Sequence, residues 1–337
     1  MRKRVYIAYT GGTIGMRRTS DGYSPEPGYL QQQLDAMPEL HHDSMPLVTI
    51  NEYAPLLDSS NMTPREWVKI AHDVADHYDD YDGFLVLHGT DTMAYTASAL
   101  PFMLNGLAKP VIITGSQIPL CEVRNDAREN LITSLLIASS YDVPEVCLYF
   151  GGKLLRGCRA VKVSADGFAA FDSPNFPPLG TVGIDIEING PFVRRASAQK
   201  LVVEEFGSPV VSALRLFPGI SPELVRNVLR APLQGLVLEA YGVGNGPDAN
   251  LDFLNALTEA TARGVVIVDC TQCLEGTVNL TEYTAGTALA RAGIISGFDM
   301  TAEAALAKLY YLFSRGDSPD DVKRAMQDDL RGELTRR

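Results

Sequence analysis

Hydroxyl, carboxylate and glycine residues follow four apolar runs near the start of the chain, each time shortly after the run ends. These polar segments are residues 10–15 (TGGTIG), 58–61 (DSSN), 88–92 (HGTDT) and 114–117 (TGSQ). Hydroxyls can act as nucleophiles or hydrogen-bond donors, and carboxylates can bind a cationic group of a ligand. Glycines let backbone N–H groups approach a ligand closely. Together the four segments indicate a site for a small polar molecule.

Short β-branched runs alternate with longer amphipathic segments, which is typical of an α/β fold with a mainly parallel sheet. Five buried strands are predicted, at residues 5–9, 47–50, 84–87, 111–114 and 146–150. In open α/β sheets, ligands bind beyond the carboxyl ends of the strands. The four polar segments should therefore meet at one edge of the sheet.

Residues 63–66 predict the start of a helix. Thr63 can cap it, Pro64 presets the backbone of the first turn, and Glu66 can complete a capping box. Apolar residues at helical spacing continue from Trp67. Further along the chain, residues 153–163 follow a glycine pair and predict a β-hairpin.

A length of 337 residues favours two domains over a single core. Residues 191–209 are weakly patterned, so we place a linker there, between an N-terminal catalytic domain (1–190) and a C-terminal domain (210–337). The second domain repeats the α/β pattern, with strands at 210–216, 235–239 and 265–269 and with helices that begin near Ser221 and Asn250. Each domain should contain a mainly parallel sheet flanked by helices.

The composition, 46% hydrophobic and 21% charged residues, is that of an ordinary globular protein. A net charge of −12 argues against binding to nucleic acid or to an anionic membrane, because both need clustered Lys and Arg. The apolar run near the amino terminus is too short for a signal peptide, and no run is long enough to span a membrane. Five cysteines, an odd number, fit reduced thiols in a cytoplasmic protein.

Each motif taken alone has a simpler explanation. Strand-to-helix loops are rich in Gly, Ser, Thr and Asp because these residues form turns and caps, and Asp91 could cap a helix that begins near Thr92. Residues 10–15 lack the Lys-Ser/Thr of a P-loop and the glycine spacing of a dinucleotide site, which disfavours nucleotide binding. The CTQC sequence at 270–273 fits two buried thiols or a redox pair, and no His spacing indicates a metal site.

Residues 10–15 followed by 88–93 (HGTDTM) resemble the paired signature of the bacterial asparaginase/glutaminase family. The resemblance extends along nearly the whole chain, through residues 58–60, 114–117, Lys162 and 241–245, and is strongest to the cytosolic type I L-asparaginases. It implies that the chain hydrolyses L-asparagine to L-aspartate and ammonia through a threonine nucleophile, without a cofactor or metal.

The resemblance assigns a role to each candidate catalytic residue. Thr13 matches the nucleophile, and Tyr23 matches the lid tyrosine that hydrogen-bonds the nucleophile when the loop closes over substrate. Thr90, Asp91 and Lys162 match a second cluster. A hydroxyl beside an ammonium that is held by a carboxylate can act there as a proton acceptor.

Candidate substrate contacts follow from the same resemblance. Asp58 and Asp91 suit the ammonium of asparagine, whereas Ser59 and Ser60 suit its α-carboxylate. Ser116 would turn a carbonyl toward the side-chain amide. The predicted substrate-binding residues are Asp58, Ser59, Ser60, Thr90, Asp91 and Ser116.

Cys273 matches a position that lines an allosteric asparagine pocket in some type I enzymes. This chain departs from those enzymes beside it, since Val161 replaces a threonine and Glu239 replaces an arginine. A cation suited to the carboxylate of an effector is thus replaced by an anion. We therefore expect this regulation to be lost.

The resemblance also implies a homo-oligomer. In the family, dimers complete each active site with the second domain of the neighbour, and type I enzymes form tetramers, so residues 241–245 would reach the neighbouring site. Two alternatives remain open, an amidohydrolase that prefers glutamine and a non-catalytic amino-acid sensor. The nucleophile and proton relay together disfavour the sensor, because binding alone needs neither.

Overall fold

The computed structural model describes residues 2–20 and 22–336, which form two compact units separated in the sequence between Glu204 and Glu205. This boundary falls inside the predicted linker, residues 191–209, whose own limits stay a prediction. Residues 202–203 pair with residues 104–105 in a small sheet. The chain is therefore held to the first unit almost as far as the boundary.

The first unit contains one large sheet, three small two-stranded sheets and four α-helices within the described residues. Its strands are β1 (Arg4–Gly11), β2 (Met16–Thr19), β3 (Gly22–Pro25), β4 (Leu47–Leu57), β5 (Gly83–Leu87), β6 (Leu104–Asn105), β7 (Val111–Thr114), β8 (Val146–Phe150), β9 (Lys153–Arg156), β10 (Val161–Lys162), β11 (Phe171–Asp172), β12 (Gly180–Val182), β13 (Ile186–Ile188) and β14 (Val202–Val203). Its helices are α1 (Tyr29–Asp35), α2 (Pro64–Asp76), α3 (Met93–Met103) and α4 (Ala127–Ser140).

The large sheet has the strand order β13-β12-β9-β8-β7-β5-β1-β4. Strands β4, β1, β5, β7 and β8 run parallel, and β9, β12 and β13 extend the sheet in antiparallel pairs. The predicted α/β class is confirmed. The predicted hairpin at residues 153–163 is wrong, because β9 pairs with β8 and β12 while β10 pairs with β11.

Local sequence explains why the central strands and the helix after β4 form where they do. Strands β5, β7 and β8 are buried at every residue, as expected for parallel strands that are covered on both faces. The predicted capping box of α2 is present, since Thr63 accepts from the Arg65 N–H and the Glu66 carboxylate accepts from the Thr63 N–H at 2.7 Å. The helix therefore begins at Pro64, directly after its cap.

The second unit has a four-stranded sheet in the order β15-β16-β17-β18, and all its neighbours are parallel. Ser221 and Asn250 cap the two helices that the sequence predicts from them. The strands are β15 (Val211–Arg215), β16 (Gly235–Ala240), β17 (Val266–Thr271) and β18 (Ile295–Ser296). The helices are α5 (Pro222–Val228), α6 (Leu251–Ala262), α7 (Thr284–Arg291), α8 (Ala302–Ser314) and α9 (Pro319–Met326). Across residues 2–20 and 22–336, no helix has the length and apolar character that a bilayer crossing requires.

Asp269 on β17 is a buried carboxyl in an apolar part of the second unit. Its side chain is fully buried, and neither carboxylate oxygen has a hydrogen-bond partner within the described chain. A Cβ atom built on Gly244 would contact Asp269 Oδ2 together with Val278 and Leu280, so these groups are neighbours. Burial raises the pKa of the Asp269 carboxyl to about 8.

We expect Asp269→Asn to increase the free energy of unfolding at neutral pH. The carboxyl ionises near its ordinary pKa of 3.8 in the unfolded chain but only near 8 in the folded chain, so unfolding releases a proton between these values. As the pH rises from 3.8 to about 8, the free energy of unfolding of the wild type should therefore fall relative to that of the variant. The fall should reach roughly 1.4 kcal/mol per pH unit. Urea unfolding over this window measures the difference. A difference that does not change with pH, or an equal effect of the exposed control Asp185→Asn, would contradict the assignment.

Candidate active site

Neighbouring parallel strands bring the four polar segments of the sequence to one edge of the large sheet. In the order β4-β1-β5-β7, residues 58–61 follow β4, residues 10–15 lie at the end of β1, residues 88–92 follow β5, and residues 114–117 lie at the end of β7. All these strands point the same way, so their carboxyl ends share one edge. The edge therefore concentrates hydroxyls and carboxylates, as predicted.

Gly12 packs directly on the backbone of Gly89, which joins the segment after β1 to the segment after β5. The φ of Gly12 is 89°, and a Cβ atom built on it would collide with the N and Cα atoms of Gly89. Only glycine meets both conditions without strain. Thr13 and Thr90 come next in their segments, so this contact places the two candidate residues on adjacent stretches of backbone. Thr13 is half-buried and opens a short 3-10 turn.

Ser59 joins the segment after β4 to the same region. Its hydroxyl accepts the backbone N–H of Asp91 at 3.3 Å, and its carbonyl accepts the Thr92 hydroxyl at 2.7 Å. Ser59 is almost fully buried, whereas Asp58 and Ser60 are exposed beside it. The Asp58 carboxylate accepts the Ser60 N–H at 3.1 Å, which fixes the turn that presents both residues.

Lys162 connects the side chains of Thr90 and Asp91. Its Nζ donates to Thr90 Oγ1 at 3.0 Å and to Asp91 Oδ1 at 2.8 Å. Thr90 is buried, while the Asp91 side chain is 65% exposed. Lys162 lies on β10 opposite Phe171 of β11, so an antiparallel pair outside the large sheet positions the ammonium. The three residues that the family resemblance groups together are thus in hydrogen-bond contact.

His88 is a buried histidine that holds the backbone before Thr90. The Trp67 indole N–H donates to Thr96 Oγ1, and the Thr96 hydroxyl bonds His88 Nε2 at 2.8 Å. Because the carbonyl of Gly89 can only accept, Nδ1 carries the hydrogen and donates to it at 2.7 Å. Burial lowers the pKa of His88 to about 4. His88 is therefore a neutral structural group at physiological pH.

The segment after β7 is fixed by residues that the sequence analysis does not identify. The carboxylate of Asp126 accepts the backbone N–H groups of Gln117 and Ile118 at 2.9–3.1 Å, and Asn130 Nδ2 donates to the Gly115 carbonyl at 3.0 Å. Ser116, the predicted substrate contact, is buried. No motif spacing marks Asp126, since it acts through main-chain groups eight and nine positions earlier in the sequence.

The Tyr23 hydroxyl is not hydrogen-bonded to Thr13 in the described part of the chain. Tyr23 lies on the β2–β3 hairpin, is 44% exposed, and donates its hydroxyl to Glu122 Oε1 at 2.7 Å. Glu122 belongs to the stretch that follows β7. The lid role that the resemblance implies for Tyr23 stays a prediction, and the contact with Glu122 is one that the sequence analysis does not anticipate.

The three residues of the predicted allosteric pocket lie on β10, on β16 and just after β17. Val161 is buried on β10 of the first unit. Glu239 lies on β16 of the second unit and accepts from Arg215 Nη1 at 3.1 Å. Cys273 is exposed just after β17. The anion at residue 239 is therefore paired with a cation from the neighbouring strand.

The sequence matches two family models, "Asparaginase, N-terminal" over residues 4–194 and "Glutaminase/Asparaginase C-terminal domain" over residues 210–326. "L-asparaginase 1" of Escherichia coli (strain K12) is 53% identical over 335 residues, which are 99% of this chain and 98% of that protein. The crystal structure of L-asparaginase I from Vibrio cholerae superposes with a TM-score of 0.92 at 51% identity, covering 99% of this chain and 100% of the other. The thermostable L-asparaginase from Thermococcus kodakarensis gives a TM-score of 0.90 at 34% identity with the same coverage. The similarity thus spans both units.

Proposed function

The chain belongs to the asparaginase family and is an L-asparaginase, and we propose that Thr13 is the nucleophile with which it hydrolyses L-asparagine. In this proposal the Thr13 oxygen attacks the side-chain amide carbon, and the amide nitrogen takes up a proton and leaves as ammonia. Water then attacks the resulting ester and releases L-aspartate. The contact of Lys162 with both Thr90 and Asp91 is the observation that carries the proposal, because it supplies a proton path next to the nucleophile.

Thr90 is proposed to relay the proton that the nucleophile gives up, taking it up on Oγ1 while its own hydroxyl hydrogen passes on to the departing amide nitrogen. Lys162 donates to Thr90 Oγ1, and Asp91 holds the ammonium of Lys162 at 2.8 Å. The contact between Gly12 and Gly89 supports a direct path, because Thr13 and Thr90 follow these glycines. A positioned proton acceptor of this kind contributes about 10²–10⁴-fold to a rate.

The substrate's charged groups have matching partners at this edge of the sheet. We propose that Asp58 and Asp91, both exposed carboxylates, bind the α-ammonium of asparagine. Ser60 is exposed and can donate to the α-carboxylate. Ser59 still has its hydroxyl hydrogen to donate after accepting the Asp91 N–H. Ser116 is proposed to contact the side-chain amide.

We further propose a cytoplasmic homo-oligomer, dimer or tetramer, that binds neither nucleic acid nor membranes. Five free cysteines and a net charge of −12 support this proposal. Residues 241–245 form a tight turn in which Tyr241 pairs with Asn245, and we propose that this turn reaches the active site of a neighbouring subunit. The proposed reaction uses neither metal nor cofactor, since side chains supply the nucleophile and the proton path.

Thr13→Val and Thr90→Val should each nearly abolish ammonia release while leaving the fold intact. Loss of a nucleophile costs several orders of magnitude, and loss of the proton acceptor costs roughly 10²–10⁴-fold. Ammonia release at saturating asparagine and at saturating glutamine measures both the effect and the substrate preference. The control is Thr181→Val on the exposed face of β12. Near-normal turnover by Thr13→Val would refute the nucleophile.

Lys162→Met should lower kcat and leave KM almost unchanged, because the ammonium acts on the reacting centre and not on the ground-state substrate. A matched control is Lys153→Met, since Lys153 pairs with Asp172 at 2.9 Å in similar geometry on β9. Steady-state kinetics of the two variants separate the roles. A rise in KM alone for Lys162→Met would make Lys162 a binding residue.

The initial rate should depend hyperbolically on asparagine concentration. An effector carboxylate near Glu239 would meet like charge and compete with Glu239 for Arg215. Exchanging a bidentate cationic contact for repulsion should cost roughly 2–5 kcal/mol, on the order of 30-fold or more in affinity. Cys273→Ala should therefore leave the rate curve unchanged. A sigmoidal curve that this substitution converts to a hyperbola would show that an effector still binds.

A further inference from the structure

Two consecutive residues after β7 hold the segment that carries Thr13. The Leu120 N–H donates to the Ile14 carbonyl at 3.1 Å, and both side chains belong to one buried apolar cluster. The next residue, Cys121, donates its thiol to the Met16 carbonyl at 3.5 Å. Ile14 lies in the 3-10 turn that Thr13 opens, and β2 starts at Met16. The turn and the start of the β2–β3 hairpin are therefore held by the same short stretch of chain.

The third residue of this stretch, Glu122, holds the hairpin further along. Its Oε1 accepts the Tyr23 hydroxyl at 2.7 Å, and Tyr23 lies on β3 opposite Arg18 of β2. The hydrogen bond to the Glu122 carboxylate raises the pKa of the Tyr23 phenol, so the phenol remains the donor. Residues 17–20 and 22–24 are all exposed. The outer part of the hairpin is thus held by hydrogen bonds more than by burial.

The stretch that supports the hairpin is itself fixed by the start of α4. Asn125 Nδ2 donates to the carbonyls of Leu120 and Glu122, at 3.4 and 2.6 Å. Asn125 Oδ1 accepts the Arg128 N–H of the first turn of α4 at 3.1 Å. The Asp126 carboxylate accepts the two N–H groups that come just before the stretch. Glu122 therefore offers the hairpin a fixed anchor.

We infer that Glu122 is a positioning residue for the reaction, because it fixes the hairpin that continues directly from the turn of Thr13. Without this anchor the hairpin can swing about residues 14–16, and the displacement reaches Thr13. A displacement of about 1 Å at a reacting group can cost about 10²-fold in rate. The contact of Leu120 with Ile14 stays in place, so the loss should be smaller than that. The inference rests on the role proposed above for Thr13.

The test compares Glu122→Met with Glu122→Gln in the full-length protein. Both variants lose the charge, but only glutamine keeps a side-chain oxygen that can accept from Tyr23. Glu122→Met should lower kcat by about fivefold to 30-fold and change KM by less than about threefold, because it displaces the nucleophile and not the substrate. Glu122→Gln should keep a kcat within about twofold of the wild type. A purely structural role would lower the melting temperature of Glu122→Met without this kinetic difference.

Limited cleavage by trypsin measures the hairpin directly. Arg17 and Arg18 on β2 are exposed, and cleavage after either requires the hairpin to open. This cleavage, identified by fragment mass, should be at least about fivefold faster in Glu122→Met than in the wild type. Tyr23→Phe removes the same hydrogen bond from the other side and should accelerate cleavage equally. The matched control, Glu187→Met, changes an exposed residue of β13 and should leave kcat, KM and cleavage unchanged.

Three results would overturn the inference. The first is a wild-type kcat in Glu122→Met, whether or not cleavage is faster. The second is an equal loss of kcat in Glu122→Met and Glu122→Gln, and the third is a change in KM alone. If Glu122→Met does not fold, Tyr23→Phe decides, and cleavage at the wild-type rate overturns the anchor. Thr13→Val is assayed in parallel. An active Thr13→Val would remove the proposed nucleophile, whereas an inactive one beside a normal Glu122→Met removes only the role of Glu122.

Discussion

The close approach of Gly12 to the backbone of Gly89 is the constraint on which the candidate site depends. A Cβ atom on Gly12 would overlap Gly89, and one on Gly89 would lie 2.6 Å from Ser59 Oγ. Three chain segments therefore meet at these two glycines, with only the small Ser59 side chain between the segments after β4 and β5, which a parallel sheet alone does not guarantee. Adjacent parallel strands are ~4.8 Å apart, and the segments beyond them usually diverge. Here two glycines keep them together and so hold Thr13 and Thr90 on neighbouring backbone.

In the same region, a few hydrogen bonds fix the backbone and the hydroxyl group of the segment that follows β5. His88 donates from Nδ1 to the Gly89 carbonyl, which sets its tautomer, and its Nε2 then accepts from the Thr96 hydroxyl, which in turn accepts from Trp67. Lys162 and Gln117 then fix the two sides of the Thr90 hydroxyl. Each of these groups has only one hydrogen-bond role at its contact, so the pattern of donors and acceptors has a single solution.

Much of this arrangement can be predicted from the sequence, but only where the cause is local. The central strands follow from apolar runs, and the start of α2 follows from the capping box at Thr63. The grouping of Thr90, Asp91 and Lys162 comes from the family resemblance, since nothing near Lys162 in the sequence predicts it. The hairpin prediction at residues 153–163 failed because strand partners are chosen by long-range packing. The contact of Tyr23 with Glu122 spans 99 residues and leaves no local pattern.

The lysine–carboxylate pair at the candidate site is partly exposed to solvent, and a second, buried pair in this chain shows what this exposure changes. Lys308 and Glu333 are both fully buried at 2.6 Å, and Lys308 also donates to the carbonyls of residues 326 and 328. Breaking such a pair would leave an uncompensated buried charge, which costs several kcal/mol, so the pair is fixed. The Lys162 and Asp91 side chains are 21% and 65% exposed, so solvent screens their attraction. In the proposed mechanism, the ammonium of a partly exposed pair can adjust its hydrogen bonds while charge moves between Thr13, Thr90 and substrate. A pair as strongly held as Lys308 and Glu333 would resist each of those changes, and solvent access at the site is therefore part of the proposed chemistry.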